Sequence, residues 1–272
     1  MQKLSFTTLS CPEWDLKTII QHSKEYGFNA IDIQGIQDQI EISQIPEFTS
    51  KIKNTKALLE DADISISCIS SSAFFLLKTL PEYELHIDEV KRCLEIAAQL
   101  DAPAVRILDG RLIRHVDFDE QIKYAAELYQ PVLENAYKQG ITIAIETHEG
   151  LVQSAKMRQA IELVNHPALK IVWDLNHSFR KTNESPETTA GILTPYISCV
   201  HIKDSIVTLR GDVKPVLTGT GTNPIPECIQ ALNDVGYNGY FTFEWEKNLF
   251  PDIEEPEVAL PHFVKKMKKW MK

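Results

Sequence analysis

The chain alternates short apolar runs with longer amphipathic stretches from one end to the other. Eight runs have the length, β-branching and flanking turn residues of strands: Lys3–Leu9, Ala30–Gln34, Ile64–Ile69, Ala104–Leu108, Ile141–Glu146, Lys170–Asp174, Ile197–His201 and Tyr240–Glu244. Eight stretches with helical periodicity separate and follow them: Trp14–Tyr26, Glu47–Asp61, Glu82–Leu100, Phe118–Gln139, Gln153–Val164, Pro186–Tyr196, Pro224–Val235 and Glu257–Met271. A strand-then-helix unit repeated eight times over about 250 residues predicts an α/β fold, a parallel (β/α)8 TIM barrel. No linker, low-complexity run or shift in charge interrupts the alternation, so residues 1–272 are expected to form a single domain. The longest irregular stretch, Lys203–Asn223, holds Gly211, Pro215, Gly219 and Gly221 and is expected to be a functional or mobile loop.

Polarity within the strands predicts which residues face inward. In the fifth strand Ile141, Ile143 and Ile145 share one face, and Thr142, Ala144 and Glu146 the other. The smaller face suits a barrel interior, which aims Glu146 inward at the C-terminal end of its strand. The same parity turns Asp174 inward and Trp173 outward. It turns His201 inward beside Cys199, and Glu244 inward with Phe241 and Phe243 outward.

Four ionisable residues thereby come to equivalent places on four successive strands. Glu146 and Asp174 are 28 residues apart, Asp174 and His201 27, and His201 and Glu244 43; the last spacing is one unit plus the long loop. Taken singly, a strand-end carboxylate is more often solvated or a helix N-cap, and an inward His more often a hydrogen-bonded core residue. Asp174 in "WDLNHS" could simply begin a turn. Together at the catalytic face of a barrel, three bare carboxylates would repel one another. A divalent cation resolves that repulsion, and the oxygen and nitrogen donors suit Mn²⁺, Mg²⁺, Co²⁺ or Zn²⁺.

Composition narrows the partners. The net charge of −10 disfavours a duplex nucleic-acid binder. No apolar run approaches a membrane span and no secretory signal is apparent. Five scattered cysteines without CxxC spacing predict reduced thiols, and with them a cytoplasmic protein. Trp14, Phe74 and Phe75 follow the first and third strands, where they could pack on a sugar or anchor loops. Trp245 should point away from Glu244. The basic end "FVKKMKKWMK" fits a last barrel helix with lysines on its wet face. Gly219 and Gly221 could open backbone amides to a phosphate, although a lone GxG more often marks a turn.

The segments "IAIETHEG", "VWDLNHS", "VHIKDS", "TGTGTNPIPECIQAL" and "GYNGYFTFEWEKNLFPDIEEPEVALP" resemble the xylose-isomerase-like sugar phosphate isomerase/epimerase superfamily, over nearly the whole chain. The resemblance implies a single barrel with one divalent metal ion, manganese foremost, on Glu146, Asp174, His201 and Glu244. It implies that Glu146 and Glu244 also act as acid and base. His177, three residues after Asp174, is implied to contact a substrate oxygen, with His148, Lys203 and Arg106 as further substrate-binding positions. The implied partner is a small-molecule sugar or sugar phosphate; a homo-oligomer is compatible with the resemblance. Departures are Val207 where 3-epimerases carry an Arg, with Arg210 the nearest arginine, Asp32-Ile33-Gln34 where strand two often ends in Glu, and Thr220 where the glycine turn is often acidic.

The expected function is a metal-dependent sugar or sugar-phosphate isomerase or epimerase. A metal chelating the carbonyl and adjacent hydroxyl oxygens stabilises the enediolate that forms on deprotonation; one carboxylate removes the carbon proton and another returns it. The alternative is an inosose-dehydratase-like dehydratase of a cyclic polyol or keto sugar. Less favoured are an apurinic endonuclease-like hydrolase, since strands two and three end in "DIQGIQ" and "SCISSSAFF" without His, and a non-catalytic metabolite-binding barrel, which needs no paired acid and base.

Overall fold

The computed structural model describes residues 3–37 and 39–271. Eight parallel strands close into one barrel: β1 (Lys3–Thr7), β2 (Ala30–Ile33), β3 (Ser65–Leu76), β4 (Ala104–Gly110), β5 (Thr142–Glu146), β6 (Leu169–Asp174), β7 (Ile197–Ile202) and β10 (Tyr240–Phe243). β1 pairs with both β2 and β10, so the barrel sheet leaves no edge open. The helices α1 (Leu16–Tyr26), α2 (Ile52–Ala62), α3 (Leu80–Gln99), α4 (Phe118–Lys138), α5 (Ser154–Val164), α7 (Pro186–Leu193), α8 (Ile225–Asp234) and α9 (Pro256–Trp270) correspond to the eight expected stretches. Local signals set their ends: Asp15 and Asp117 accept backbone N–H groups as N-caps, Thr79 and Glu82 form a capping box, and Gly27 closes α1 at φ 86°.

The inward–outward parity holds. Ile143, Ile145, Trp173, Phe241 and Phe243 join the large apolar layer between strands and helices. Ala144, Val172 and Cys199 form a separate small cluster inside the barrel. Trp245 is buried, stacks on Phe243 and donates to the Glu254 carbonyl, away from Glu244 as expected. All five cysteines are free and buried. Among the described residues no helix is long and apolar enough to cross a membrane.

The chain departs from expectation in three places. β3 runs on to Leu76 through an irregularity between Ser70 and Phe74, so Phe74 and Phe75 belong to the strand. Phe75 is buried against Tyr129, and Trp14 packs on His22, so both anchor structure. The expected loop Lys203–Asn223 contains an antiparallel hairpin, β8 (Asp204–Val207) with β9 (Val213–Val216). Pro215 had disguised β9, but a two-stranded ribbon leaves its missing N–H facing outward at little cost. A further short helix, α6 (Leu175–Thr182), follows β6 directly.

Candidate metal centre and active site

Glu146, Asp174, His201 and Glu244 converge at the C-terminal ends of β5, β6, β7 and β10. One donor atom from each lies within 4.8 Å of the others, and all four residues are buried. The local fold explains the convergence. Asp174 N–H donates to Thr147 Oγ1 at 2.9 Å, which ties the end of β6 to the end of β5. Asp174 Oδ1 accepts the His177 N–H at 2.7 Å and caps α6, leaving Oδ2 to face the cluster. The carboxylate is therefore both helix cap and candidate ligand, one oxygen for each.

Asp32, at the inward end of β2, completes the imidazole's surroundings. Its Oδ2 lies 3.1 Å from His201 Nε2, and its Oδ1 accepts from Ser70 Oγ at 2.6 Å. His201 Nε2 thus takes the donor role and Nδ1 turns to the cluster, 3.8 Å from Glu146 Oε1 and 3.7 Å from Glu244 Oε1. That Nδ1 has no hydrogen-bond partner among the described residues; nor have Asp174 Oδ2 and Glu146 Oε2. An imidazole oriented by a carboxylate, with its other nitrogen free, is the usual arrangement of a metal-ligating His.

Charge leads to the same conclusion. Asp32, Glu146, Asp174 and Glu244 are four carboxylates no more than 4 % exposed; Arg106 and Lys203 are the two buried cations beside them. With all four ionised and His201 neutral, the carboxylates outnumber the two cations by two, a difference that one divalent ion would offset. Arg106 Nε lies 3.1 Å from Glu146 Oε2. Lys203 Nζ lies 2.6 Å from Glu244 Oε2, 3.2 Å from Asp174 Oδ2 and 3.3 Å from Glu246 Oε1. Burial pushes the Asp174 carboxyl up to about 8 despite Lys203, so a proton offsets part of the excess. Burial opposes ionisation of Glu244 as well, but Lys203 and His201 hold it well below the usual carboxylate range. The donor set and the inward His201 Nδ1 fit a hard or borderline divalent ion.

The other expected site residues fall into two groups. His148, His177 and Lys203 border the cluster: the two imidazoles meet edge to face at 4.4 Å, and His177 Nε2 is 3.5 Å from Lys203 Nζ. Burial, then Lys203, keeps His177 well below its ordinary value, and burial lowers His148. Arg106 is different. It lies within the barrel, 1 % exposed, with Nη1 donating to the Ser71 carbonyl, and its charge faces Glu146.

Three neighbours escaped the sequence reading. Asp32 shares the inward parity of Ala30 on its strand. Glu246 stands two residues beyond Glu244 and reaches Lys203. Buried Asp109 accepts N–H groups from Glu149 at 2.8 Å and Leu151 at 2.7 Å, with a longer bond from His148 at 3.4 Å, and so fastens the loop that carries His148.

A sequence model of the xylose isomerase-like TIM barrel matches residues 20–269. The chain belongs to that family. No curated protein matches it in a sequence search. Among solved structures, the IolI protein with a bound zinc atom superposes with TM-score 0.83 at 18 % identity, covering 99 % of this chain and 98 % of that one. The 3-keto-D-glucoside 4-epimerase YcjR from E. coli gives TM-score 0.80 at 15 % identity, over 99 % and 100 % of the two chains. The probable 3-DHS dehydratase AsbF from Bacillus anthracis gives 0.79 at 18 % identity, over 98 % and 99 %. At such identities these neighbours establish the shared xylose isomerase-like barrel.

Proposed function

We propose that this family member is a divalent-metal-dependent enzyme that isomerises or epimerises a sugar by moving a proton at a carbon beside its carbonyl. The observation that carries the reading is the convergence of Glu146, Asp174, His201 and Glu244, all buried, with His201 Nδ1 turned into the cluster and without a hydrogen-bond partner among the described residues. These four residues would hold the ion, manganese foremost, with zinc the metal named for the IolI neighbour. When bound there, the cation supplies Lewis-acid polarisation of the sugar's carbonyl and adjacent hydroxyl oxygens. Glu146 on β5 and Glu244 after β10 remove and return the carbon proton. Return to the opposite face inverts the centre, and return to the next carbon exchanges aldose and ketose. Lys203 keeps Glu244 ionised. His177 and His148, held neutral, position hydroxyl oxygens at the rim. Arg106 supports Glu146 from within the barrel.

A second reading, dehydration of a keto sugar or cyclic polyol, draws support from the His148–His177 pair. Lys203 weakens Glu244 as a base, whereas a neutral imidazole at the rim suits proton transfer to a leaving hydroxyl. Mass spectrometry separates the readings: isomers keep the substrate mass, and a dehydrated product is lighter by one water.

Two outcomes are expected of the metal. Protein reconstituted with Mn²⁺, Co²⁺ or Zn²⁺ should retain one ion per chain by elemental analysis and lose it, with thermal stability, on chelation. A chain that stays metal-free under all three conditions would defeat the reading. Asp32→Asn removes the charge that orients His201 and should weaken metal affinity by about 10–100-fold, measured by competition with a chelating dye. Unchanged affinity would mean that Asp32 does not position the ligand.

A further inference from the structure

TIM barrels commonly bind substrate phosphate through backbone amides of the loops after their seventh and eighth strands. In this chain most amides of both loops are taken up by the protein itself. After the seventh barrel strand the segment Leu217–Asn223 folds around the carboxylate of Asp204, which is 1 % exposed. Asp204 Oδ2 accepts the N–H groups of Gly219 at 2.8 Å and Gly221 at 2.9 Å. Its Oδ1 accepts those of Ser205 at 2.9 Å and Asn223 at 3.2 Å. Four amides thus converge on an anion that the chain itself provides, in the manner of a backbone nest. A Cβ on Gly221 would collide with Asp204 Oδ1, so glycine there serves the carboxylate. The amides of Thr220 and Thr222 are spent on the Leu217 and Ser205 carbonyls.

The eighth strand's loop is likewise committed at four of its amides. Its amides at Lys247, Leu249 and Phe250 bond to carbonyls of Trp245 and Glu246, and Asn248 N–H to Leu9. Lys247 Nζ is turned into the loop, on the Pro251 and Ile253 carbonyls and the Glu255 carboxylate. Four cations around the mouth are engaged too. Arg180 donates to Ser205 and Thr222, Lys181 to the His148 carbonyl, Arg111 to Glu149, and Lys203 to Glu244 and Glu246.

We infer that the substrate is a non-phosphorylated sugar or keto polyol, because Asp204 occupies the anion cradle in which a phosphate ester would anchor. This inference rests on the proposed sugar chemistry and narrows its substrate class. Selectivity then comes from hydroxyl contacts at His148, His177 and Glu246, and a phosphate dianion meets carboxylates.

The test has two arms. In the first, thermal unfolding of the metal-loaded protein is followed against inorganic phosphate, with chloride matched for ionic strength. Wild type should show no phosphate-specific rise in Tm. Asp204→Gly, which empties the cradle, should be less stable and should recover stability with phosphate. A phosphate-specific rise in wild type, with slowed hydrogen exchange in residues 217–223, would overturn the inference, and this holds even if Asp204→Gly fails to fold. In the second arm, ketoses are compared with their phosphate esters. The free sugar should be favoured in kcat/KM by about a hundredfold, the scale set by like-charge repulsion at a site. Equal or better turnover of the ester would overturn the inference. Absence of turnover on either kind of sugar would sink the catalytic reading alone, since the phosphate titration still decides whether the cradle is filled.

Discussion

Glu244→Gln is expected to lower turnover by about a hundred- to ten-thousandfold, the range typical of a lost general acid or base, while the protein stays folded and keeps its metal. Gln matches the shape of Glu and leaves a neutral oxygen for the ion, so the change falls mainly on proton transfer. The fold should tolerate it. Lys203, which loses its 2.6 Å partner, still lies 3.2 Å from Asp174 and 3.3 Å from Glu246, so its buried charge remains paired. Three measurements are needed on a sugar that the wild type converts: kcat, metal per chain, and deuterium in product formed in D₂O. Wild type should place solvent deuterium on the reacting carbon. A Glu244→Gln protein with full metal and near-normal kcat would make Glu244 a ligand only. Product without deuterium would indicate hydride transfer between carbons, which keeps the metal centre and removes the paired-base mechanism. Comparison with His177→Asn guards against a general loss of the site, because a residue that only positions a hydroxyl should raise KM more than it lowers kcat.

The four candidate ligands were legible because a barrel translates chain order into position. Each strand delivers its C-terminal end to the same face, and parity decides which side chains enter. Thus Glu146, Asp174, His201 and Glu244 could be placed together across a hundred residues of sequence. What escaped depends on partners rather than on period. Asp32 lies on the opposite side of the sequence from His201, and its only local signal was inward parity on a four-residue strand. α6 has eight residues, and only Leu175 and Phe179 are large and apolar, too few to show a helical period. It exists because Asp174 caps it. The hairpin was hidden because Pro215 and the glycines around it read as loop, and a two-stranded ribbon outside the core needs no strong apolar alternation. Asp204 looked like one more polar residue in "HIKDS"; its burial depends on a glycine loop fifteen and more residues away folding back on it.

Arg106→Met is expected to destabilise the metal-free protein by about 3–5 kcal/mol, the cost of leaving one member of a buried ion pair alone. The resemblance implies that Arg106 is a substrate-binding position. In the structure its guanidinium is enclosed, with Arg106 Nε 3.1 Å from Glu146 and both side chains 2 % exposed. Burial tends to discharge the guanidinium, yet Glu146, Asp32 and Glu244 more than compensate and keep it charged. Met fills a similar volume, so the loss should be electrostatic rather than a cavity. Without Arg106 the Glu146 carboxylate would face Glu244 and Asp32 with no counter-charge beneath it. A bound divalent ion would restore part of that charge, so urea unfolding should show a smaller penalty in the metal-loaded protein than in the stripped one. A double-mutant cycle isolates the pair: Arg106→Met with Glu146→Gln should be less damaging than the two changes summed. Equal penalties with and without metal, together with additive changes in the cycle, would show that Arg106 stabilises the barrel through packing and its bond to the Ser71 carbonyl alone. Coupling in both experiments would make Arg106 the fixed internal counter-charge of the Glu146 carboxylate, whether or not the metal is in place.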